Sequence, residues 1–486
     1  MEENQVIDEG LRNKMKGRPE RILMLVPHEP EVDPRIRWVT GLCTDIGRTD
    51  IICSVWSKDK VGREYDGQVY TERIDIHEYS SMSAKLFFDK LAGASVIRKM
   101  VRRYVMREEQ RSASQMLAIG VVATTSELRE ESGASVLSTL RRAFARYSIR
   151  ALFAILDHQV GAALRFLSAW AAYSLIITSL YRRARAISII PRCIICHDIY
   201  ALAAGVKIKK LYGCPILYDS HEFWPEADLL GQRWQRRLTT YIERRLIKQA
   251  DVVVTVSPQL SRHLEQLYGL AKVVNAPNAE PCMNREPTKT RPCSLPLRFL
   301  FQGQAASGRG IEELLTLWSL LADVDAVLYL RCPENECFTY LRGKFDRMVQ
   351  EKKVVILEAV RETDMMSAAS FADVGIIPYL GPNLNHLLGC PNKLSQYMQA
   401  GLAIFSNRLT YVSEIVDRYR CGLIYDVTKP ESFVEAIDFF INNTDELDLM
   451  KQHAIRSVHM EFNWEVQSVS YQNAVRSLYF RQLASP

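Results

Sequence analysis

Short aliphatic and β-branched runs alternate along the chain with longer stretches whose apolar positions recur every three to four residues. That alternation predicts βαβ units and parallel sheets, an α/β fold. In the first half, strands are predicted at Ile22–Val26, Ile51–Val55, Arg192–Cys196, Ile216–Tyr218 and Val252–Val256. The pattern then starts afresh, with strands predicted at Arg298–Phe301, Ala326–Leu330, Val354–Leu357, Val374–Pro378, Ala403–Ser406 and Leu423–Tyr425. Between the two series, Ala276 to Pro296 holds five prolines and little apolar periodicity, and reads as a linker.

Length agrees with this division. The 486 residues exceed what one core supports, since single cores stop growing at roughly 250–300 residues. The expected organisation is a first domain over 1–275, a linker over 276–296, a second domain over 297–455, and a helical tail over 456–486 packing back toward the first domain. No sequence repeat relates the halves.

One stretch, about 81–188, is longer than a βα connection requires. The overlapping segment from Val136 to Arg192 carries nine arginines against one acid, Asp157, which accounts for the basic excess of a chain whose net charge is +6. Within it, Val160 to Leu180 has a single charge, Arg165. The length meets that of a membrane span, but serines interrupt it and a span would divide one domain across the bilayer. Amphipathic helices lying in an anionic headgroup layer fit better, with an ordinary basic-faced domain helix as the plain alternative.

The eleven cysteines sit mostly inside apolar runs, which favours a reducing compartment. Cys193 and Cys196 form a CxxC, read as two buried strand thiols because no second pair follows at zinc-ribbon spacing. Residues 1–21 are polar, so no secretory signal is expected.

Candidate chemistry collects at predicted strand ends, where open parallel sheets bind ligands. The loop after the first strand carries Asp33-Pro34-Arg35, a good helix start in its own right. His197-Asp198 ends another strand, and Asp219-Ser220-His221-Glu222 the next, so several ionisable groups converge on one rim. The second half opens on Gln302-Gly303-Gln304-Ala305-Ala306-Ser307-Gly308-Arg309-Gly310 followed by a helix, which has the physics of a phosphate loop without being a Walker loop. Pro391-Asn392-Lys393 opens a helix closed by Gly401, and offers free amides and a cation for a second diphosphate contact.

Taken in order, Asp33-Pro34-Arg35, His197-Asp198, Asp219-Ser220-His221-Glu222, Val256-Ser257-Pro258, Pro277-Asn278, Gly303 with Arg309-Gly310, and Pro391-Asn392-Lys393 through Gly401 resemble group-one glycosyltransferases. The resemblance covers nearly the whole chain except about 81–188. It implies the GT-B fold, two Rossmann-like domains with parallel sheets facing across a cleft. It also implies retaining transfer from a UDP-, GDP- or ADP-sugar, with no metal, no cofactor and no nucleic-acid partner.

By that resemblance His197, Arg309 and Lys393 are the catalytic residues. Gly303, Gln304, Gly308, Gly310, Pro391, Asn392 and Gln396 bind the donor, and Asp33, Arg35, Asp198, His221, Glu222 and Asn278 line the cleft or acceptor side. The family's arginine after the first glycine is here Gln304, and its two helix glutamates are here Leu388 and Gln396. Gln396 still hydrogen-bonds a ribose hydroxyl, but without the charge-assisted bond, which is about twice as strong. The expected acceptor is a glycolipid or saccharide at the cytoplasmic face of a membrane, contacted peripherally. A non-catalytic scaffold of the same fold is the alternative that the altered glutamates motivate, and an epimerase or phosphorylase of this fold is a more distant one.

Overall fold

The computed structural model describes residues 21–55, 60–75, 173–186, 191–226, 233–282, 290–306, 308–321, 323–381 and 383–481. Met1–Asp75 and Leu180–Pro486 belong to one unit, which contains both sheets. The segment expected to lie on a membrane, 81–188, falls outside the described residues except for a helix over 173–186. Among the described residues no helix is long and apolar enough to cross a membrane.

Fourteen strands are described: β1 Arg21–Val26, β2 Arg48–Val55, β3 Gly62–Asp66, β4 Val69–Asp75, β5 Cys193–His197, β6 Ile216–Ser220, β7 Val252–Thr255, β8 Val274–Asn275, β9 Leu297–Gln302, β10 Ala326–Arg331, β11 Val354–Leu357, β12 Val374–Ile377, β13 Ala403–Asn407 and β14 Gly422–Tyr425. They form an eight-stranded sheet in the order β3-β4-β2-β1-β5-β6-β7-β8 and a six-stranded sheet in the order β11-β10-β9-β12-β13-β14. Every pairing is parallel except that of β3 with β4.

Six helices matter for the site: α1 Pro34–Thr44, α2 Asp198–Tyr212, α3 Arg233–Ile247, α4 Ile311–Trp318, α5 Asn392–Gln399 and α6 Val469–Arg481. α1 starts where the sequence predicts, with the Asp33 carboxylate accepting from the Arg35 amide at 3.0 Å and Pro34 at the first helical position. α2 follows β5 with no connecting residue, because His197 ends the strand and Asp198 begins the helix. Asp198 takes a left-handed φ of 66°, an unusual backbone conformation for a residue other than glycine.

Every strand predicted from the pattern is present, with ends differing by up to three residues. The pattern misses β3, β4 and β8. β3 is exposed throughout, and β4 carries Glu72 and Arg73 in its middle. Neither presents the apolar run that marks a central strand. Cys193 and Cys196 are buried free thiols, and burial pushes the Cys193 thiol up to about 12.

Each sheet has its own core. The second is aromatic at its centre, where Phe299 packs edge-on to Trp318 and Phe440, and Phe405 lies 4.7 Å from Tyr425, ring centre to ring centre. The first joins Ile22, Met24, Trp38, Ile195 and Leu217 to residues from the far end of the chain: Trp464, Tyr471, Val475, Leu478 and Tyr479. The last helix, α6, therefore finishes the N-terminal core.

Candidate active site in the interdomain cleft

The carboxyl ends of β1, β5 and β6 face those of β9 and β12 across a cleft of about 640 Å³. Eleven of the sequence-predicted residues line it: Asp33, His221, Glu222, Asn278, Gly303, Gln304, Arg309, Pro391, Asn392, Lys393 and Gln396. Five others stand behind the surface and shape it: Arg35, His197, Asp198, Gly308 and Gly310.

Arg35 corrects the expectation that it faces the cleft, because it is 1% exposed and turned into the domain. Its Nε and Nη2 donate to Asp219 at 2.8 to 3.2 Å, and its Nη1 donates to Ala276 O at 2.8 Å and Asn278 Oδ1 at 2.9 Å. Trp464 and Tyr471 cover its guanidinium at 5.7 and 5.8 Å. A cation with so many donors stays buried only when it finds acceptors, and here each of its three nitrogens has at least one. Asn278 continues the link by donating to Cys390 O at 3.1 Å, which ties this junction to the start of α5.

Beside it runs a hydrogen-bonded chain. Asp33 Oδ2 meets His221 Nδ1 at 2.9 Å, and His221 Nε2 meets His197 Nδ1 at 3.0 Å. Asp198 accepts from the His221 amide at 3.3 Å and from the Trp224 indole at 3.3 Å. Burial disfavours a charged His221, but Asp198, Asp33 and Asp219 outweigh it and raise its pKa well above the ordinary imidazole value. Burial also pushes the Asp33 carboxyl up, but His221 and His28 pull it well below the usual carboxylate range. Asp219, despite its burial, is held low by Arg35 and His221. His197 moves the other way, because burial lowers it and the Asp219 carboxylate only partly compensates.

The protons follow from these shifts. A protonated His221 donates from both nitrogens, to Asp33 and to His197 Nδ1. In the tautomer that accepts from His221, a neutral His197 carries its hydrogen on Nε2, whereas a hydrogen on Nδ1 faces Asp219 Oδ2 at 3.4 Å. His197 Nε2 is buried and has no partner among the described residues. In the tautomer that accepts from His221, His197 offers this nitrogen as a hydrogen-bond donor. The nitrogens of His197 and His221 lie within 4.8 Å of the Asp219 carboxylate, close enough to surround an ion. Both Asp219 oxygens also accept from Arg35.

The opposite wall is built differently. After β9 the backbone takes positive φ at Gly303 (124°), Gly308 (83°) and Gly310 (71°), then enters α4. At Gly310 a Cβ would fall 1.8 Å from Pro378 O, so only glycine lets the loop lie against β12. At Gly303 it would fall 2.6 Å from Lys393 Nζ. Lys393 is 8% exposed and donates to Tyr379 Oη at 2.9 Å, with its ammonium 5.3 Å from the centres of both the Phe301 and Tyr379 rings. No carboxylate pairs with it among the described residues. Arg309 lies over the same Tyr379 ring at 5.9 Å. The arrangement places two cations and the N-terminus of α4 around one hollow, which suits an anion with several oxygens.

The motifs do not single out Tyr379, His386, His28 or Glu280. Tyr379 follows the predicted strand Val374–Pro378 immediately, so the strand-end rule reaches it. Glu280 sits in the proline-rich linker with no signal for its burial, yet it is 2% exposed and accepts from Gln396 Nε2 at 3.1 Å.

Residues 157–279 match the family described as a glycosyl transferase 4-like domain, and residues 296–443 that of the glycosyl transferases group 1. An uncharacterized glycosyltransferase, YqgM, from Bacillus subtilis (strain 168) is 23% identical over 271 residues, which is 53% of this chain and 69% of that protein. Among solved structures, sucrose-phosphate synthase from Thermosynechococcus elongatus is similar with a TM-score of 0.62 at 12% identity, covering 95% of this chain and 100% of that one. Anabaena HepE in complex with UDP and glucose is similar with a TM-score of 0.56 at 11% identity, covering 94% and 100%. At such identities the likeness is one of fold, and that fold is GT-B.

Proposed function

This chain belongs to the group 1 glycosyltransferases, and from that premise we propose that it moves a sugar from a nucleotide-diphosphate sugar, with retention and without a metal, to a membrane-associated glycolipid or saccharide. The observation that carries the reading is Lys393, a nearly buried ammonium held by a hydroxyl and two aromatic rings beside Arg309 and the start of α4. A buried cation without a carboxylate is costly unless a ligand brings the counter-charge. A diphosphate brings it, and the HepE complex with UDP supports the choice.

In this reading Arg309, Lys393 and the glycine loop hold the diphosphate and stabilise the charge that grows on it as the glycosidic bond breaks. Because these cations are fixed, the leaving group is neutralised without a metal. The acceptor hydroxyl attacks from the face the diphosphate leaves and gives its proton to the departing oxygen, which yields retention. Asp33 is a poor base for that proton, since its oxygens already accept from His221 and the Arg35 amide. His197 Nε2–H serves as a donor to the sugar.

Peripheral membrane contact, on the cytoplasmic side, is supported by α3. Its outward residues Arg236, Arg237, Arg244 and Arg245, with Lys248 just beyond its end, lie near the exposed Tyr241, with no acid among them. Flotation with anionic vesicles at low salt is expected to carry the protein up, and flotation with zwitterionic vesicles is not. Sedimentation in both excludes the membrane role.

The transfer itself is tested with UDP-, GDP- and ADP-sugars and a lipid-linked acceptor. Turnover is expected with one donor, and Arg309→Ala is expected to weaken nucleotide binding about tenfold or more. No turnover, together with Arg309→Ala binding nucleotide as well as wild type, removes the proposal. A non-catalytic scaffold, favoured by the neutral Gln396, predicts binding without turnover for every donor.

A further inference from the structure

Gln396 lines the cleft three residues along α5 from Lys393, which places it about 4.5 Å further along the helix axis. Its amide nitrogen donates to Glu280 Oε1 at 3.1 Å, while its carbonyl oxygen accepts nothing among the described residues. Glu280 is itself fixed on three sides. Its amide donates to Ser395 Oγ at 2.9 Å, and its carbonyl accepts from the Trp464 amide at 3.3 Å and from Gln399 Nε2 at 3.4 Å.

An amide and a carboxylate are not interchangeable partners. A carboxylate only accepts, so it takes the NH2 end of the glutamine and turns the carbonyl end outward. Burial pushes the Glu280 carboxyl up to about 7, with the Gln396 bond opposing, Glu362 adding to the rise, and Arg37 and Trp38 opposing. Above that pH it is an acceptor alone.

We propose that Glu280 is a positioning residue of the donor site: by holding the Gln396 NH2 group it presents the Gln396 carbonyl oxygen to a hydroxyl of the nucleotide-diphosphate sugar. The inference rests on the donor reading above. With the diphosphate on Lys393 and Arg309, the hydroxyl that reaches Gln396 belongs either to the ribose or to the transferred sugar. Either way the carboxyl comes from the linker and acts through the helix, so the neutral Gln396 is half of a charged unit.

The test uses the full chain at pH 8 and isothermal titration. UDP, GDP and ADP are compared with their 2′,3′-dideoxy forms, and the matching nucleotide-sugars with their deoxy-sugar forms. Wild type is expected to prefer the hydroxyl-bearing ligand by roughly tenfold to a hundredfold in one arm, which identifies the ribose or the sugar as the source. E280L is expected to bring that ratio close to one, and E280Q, which still offers a carbonyl to the Gln396 NH2, to keep it within about threefold of wild type.

If E280L does not fold, the exchange decides. Q396E sets two acceptors face to face and is expected to lose the preference, and the E280Q/Q396E double variant, with one acid and one amide again, to recover it. A preference that E280L leaves intact, or that the exchange does not recover, overturns the role of Glu280 alone. So does hydroxyl indifference of wild type in both arms. Failure of wild type to bind any of the three nucleotides overturns the donor reading instead, and this inference with it.

Discussion

The two walls of the cleft handle charge in opposite ways. On the N-terminal wall, Arg35 is matched by Asp219, and His221 by Asp33 and Asp198, all within the protein. On the C-terminal wall, Lys393 is held by a hydroxyl and aromatic faces, with Arg309 over the same ring. The first wall is complete by itself, and its charges orient His197. In the proposed reading, the second is completed by the donor's diphosphate. A transferase gains from this asymmetry, because orientation has to be permanent while charge neutralisation has to follow the leaving group.

Breaking the closed wall should cost the most. Asp219→Ala leaves the Arg35 guanidinium buried and unpaired, and is expected to lower unfolding stability by about 3–5 kcal/mol in a urea titration. A loss below about 1 kcal/mol would mean the pair is not the keystone described here.

The open wall should respond in binding rather than in folding. Lys393→Met removes a cation that no carboxylate among the described residues balances, so the apoprotein is expected to be as stable as wild type or more so. Nucleoside diphosphate affinity is expected to fall roughly tenfold to a hundredfold, corresponding to the loss of a charge-assisted bond of about 1.5–3 kcal/mol. Parallel thermal melts and titrations separate the two effects, and a variant that loses stability and binding together would erase the contrast.

The smallest effect concerns pH. Glu243, on the inner side of α3, accepts from the hydroxyls of Tyr218 and Tyr268 at 2.9 and 2.5 Å, and burial pushes its carboxyl up to about 7 against those bonds. A raised carboxyl pKa means the folded state holds the proton more tightly. The contribution is therefore full below about 4.5 and is lost as pH rises through about 7. Glu243→Gln is expected to remove about 1 kcal/mol per pH unit of slope from the stability profile over that window. The depressed Asp33 and Asp219 give the opposite sign, losing stability only as pH falls below the ordinary carboxylate range, so the two sets are distinguishable in one profile.

Much of the fold was legible because its central strands are short apolar runs bounded by turns, and burial on both faces writes itself into composition. β3 and β4 were not, since Glu72 and Arg73 find partners in Arg63, Arg183 and Glu29 that local pattern does not contain. The cleft residues from Asp33 to Gln396 were placed by strand ends and by family resemblance. Arg35 was misread as a cleft residue for want of its acceptors, which lie 184 to 243 positions away in sequence. The same distance hid the Asp33–His221–His197 chain, whose members were each singled out but whose hydrogen-bond sense depends on their meeting. Glu280 gave no local sign at all, because a carboxyl in a proline-rich linker looks solvated until a helix closes over it.

The packing of α6 on the first sheet has a consequence for how the molecule comes into being. Synthesis delivers the second domain with all its described strands while the core of the first sheet still lacks Tyr471, Val475 and Leu478. The half made first is then the half finished last. A chain cut before residue 469 has the residues of its second core but leaves its first sheet with an uncovered apolar face, a state that invites chaperone capture.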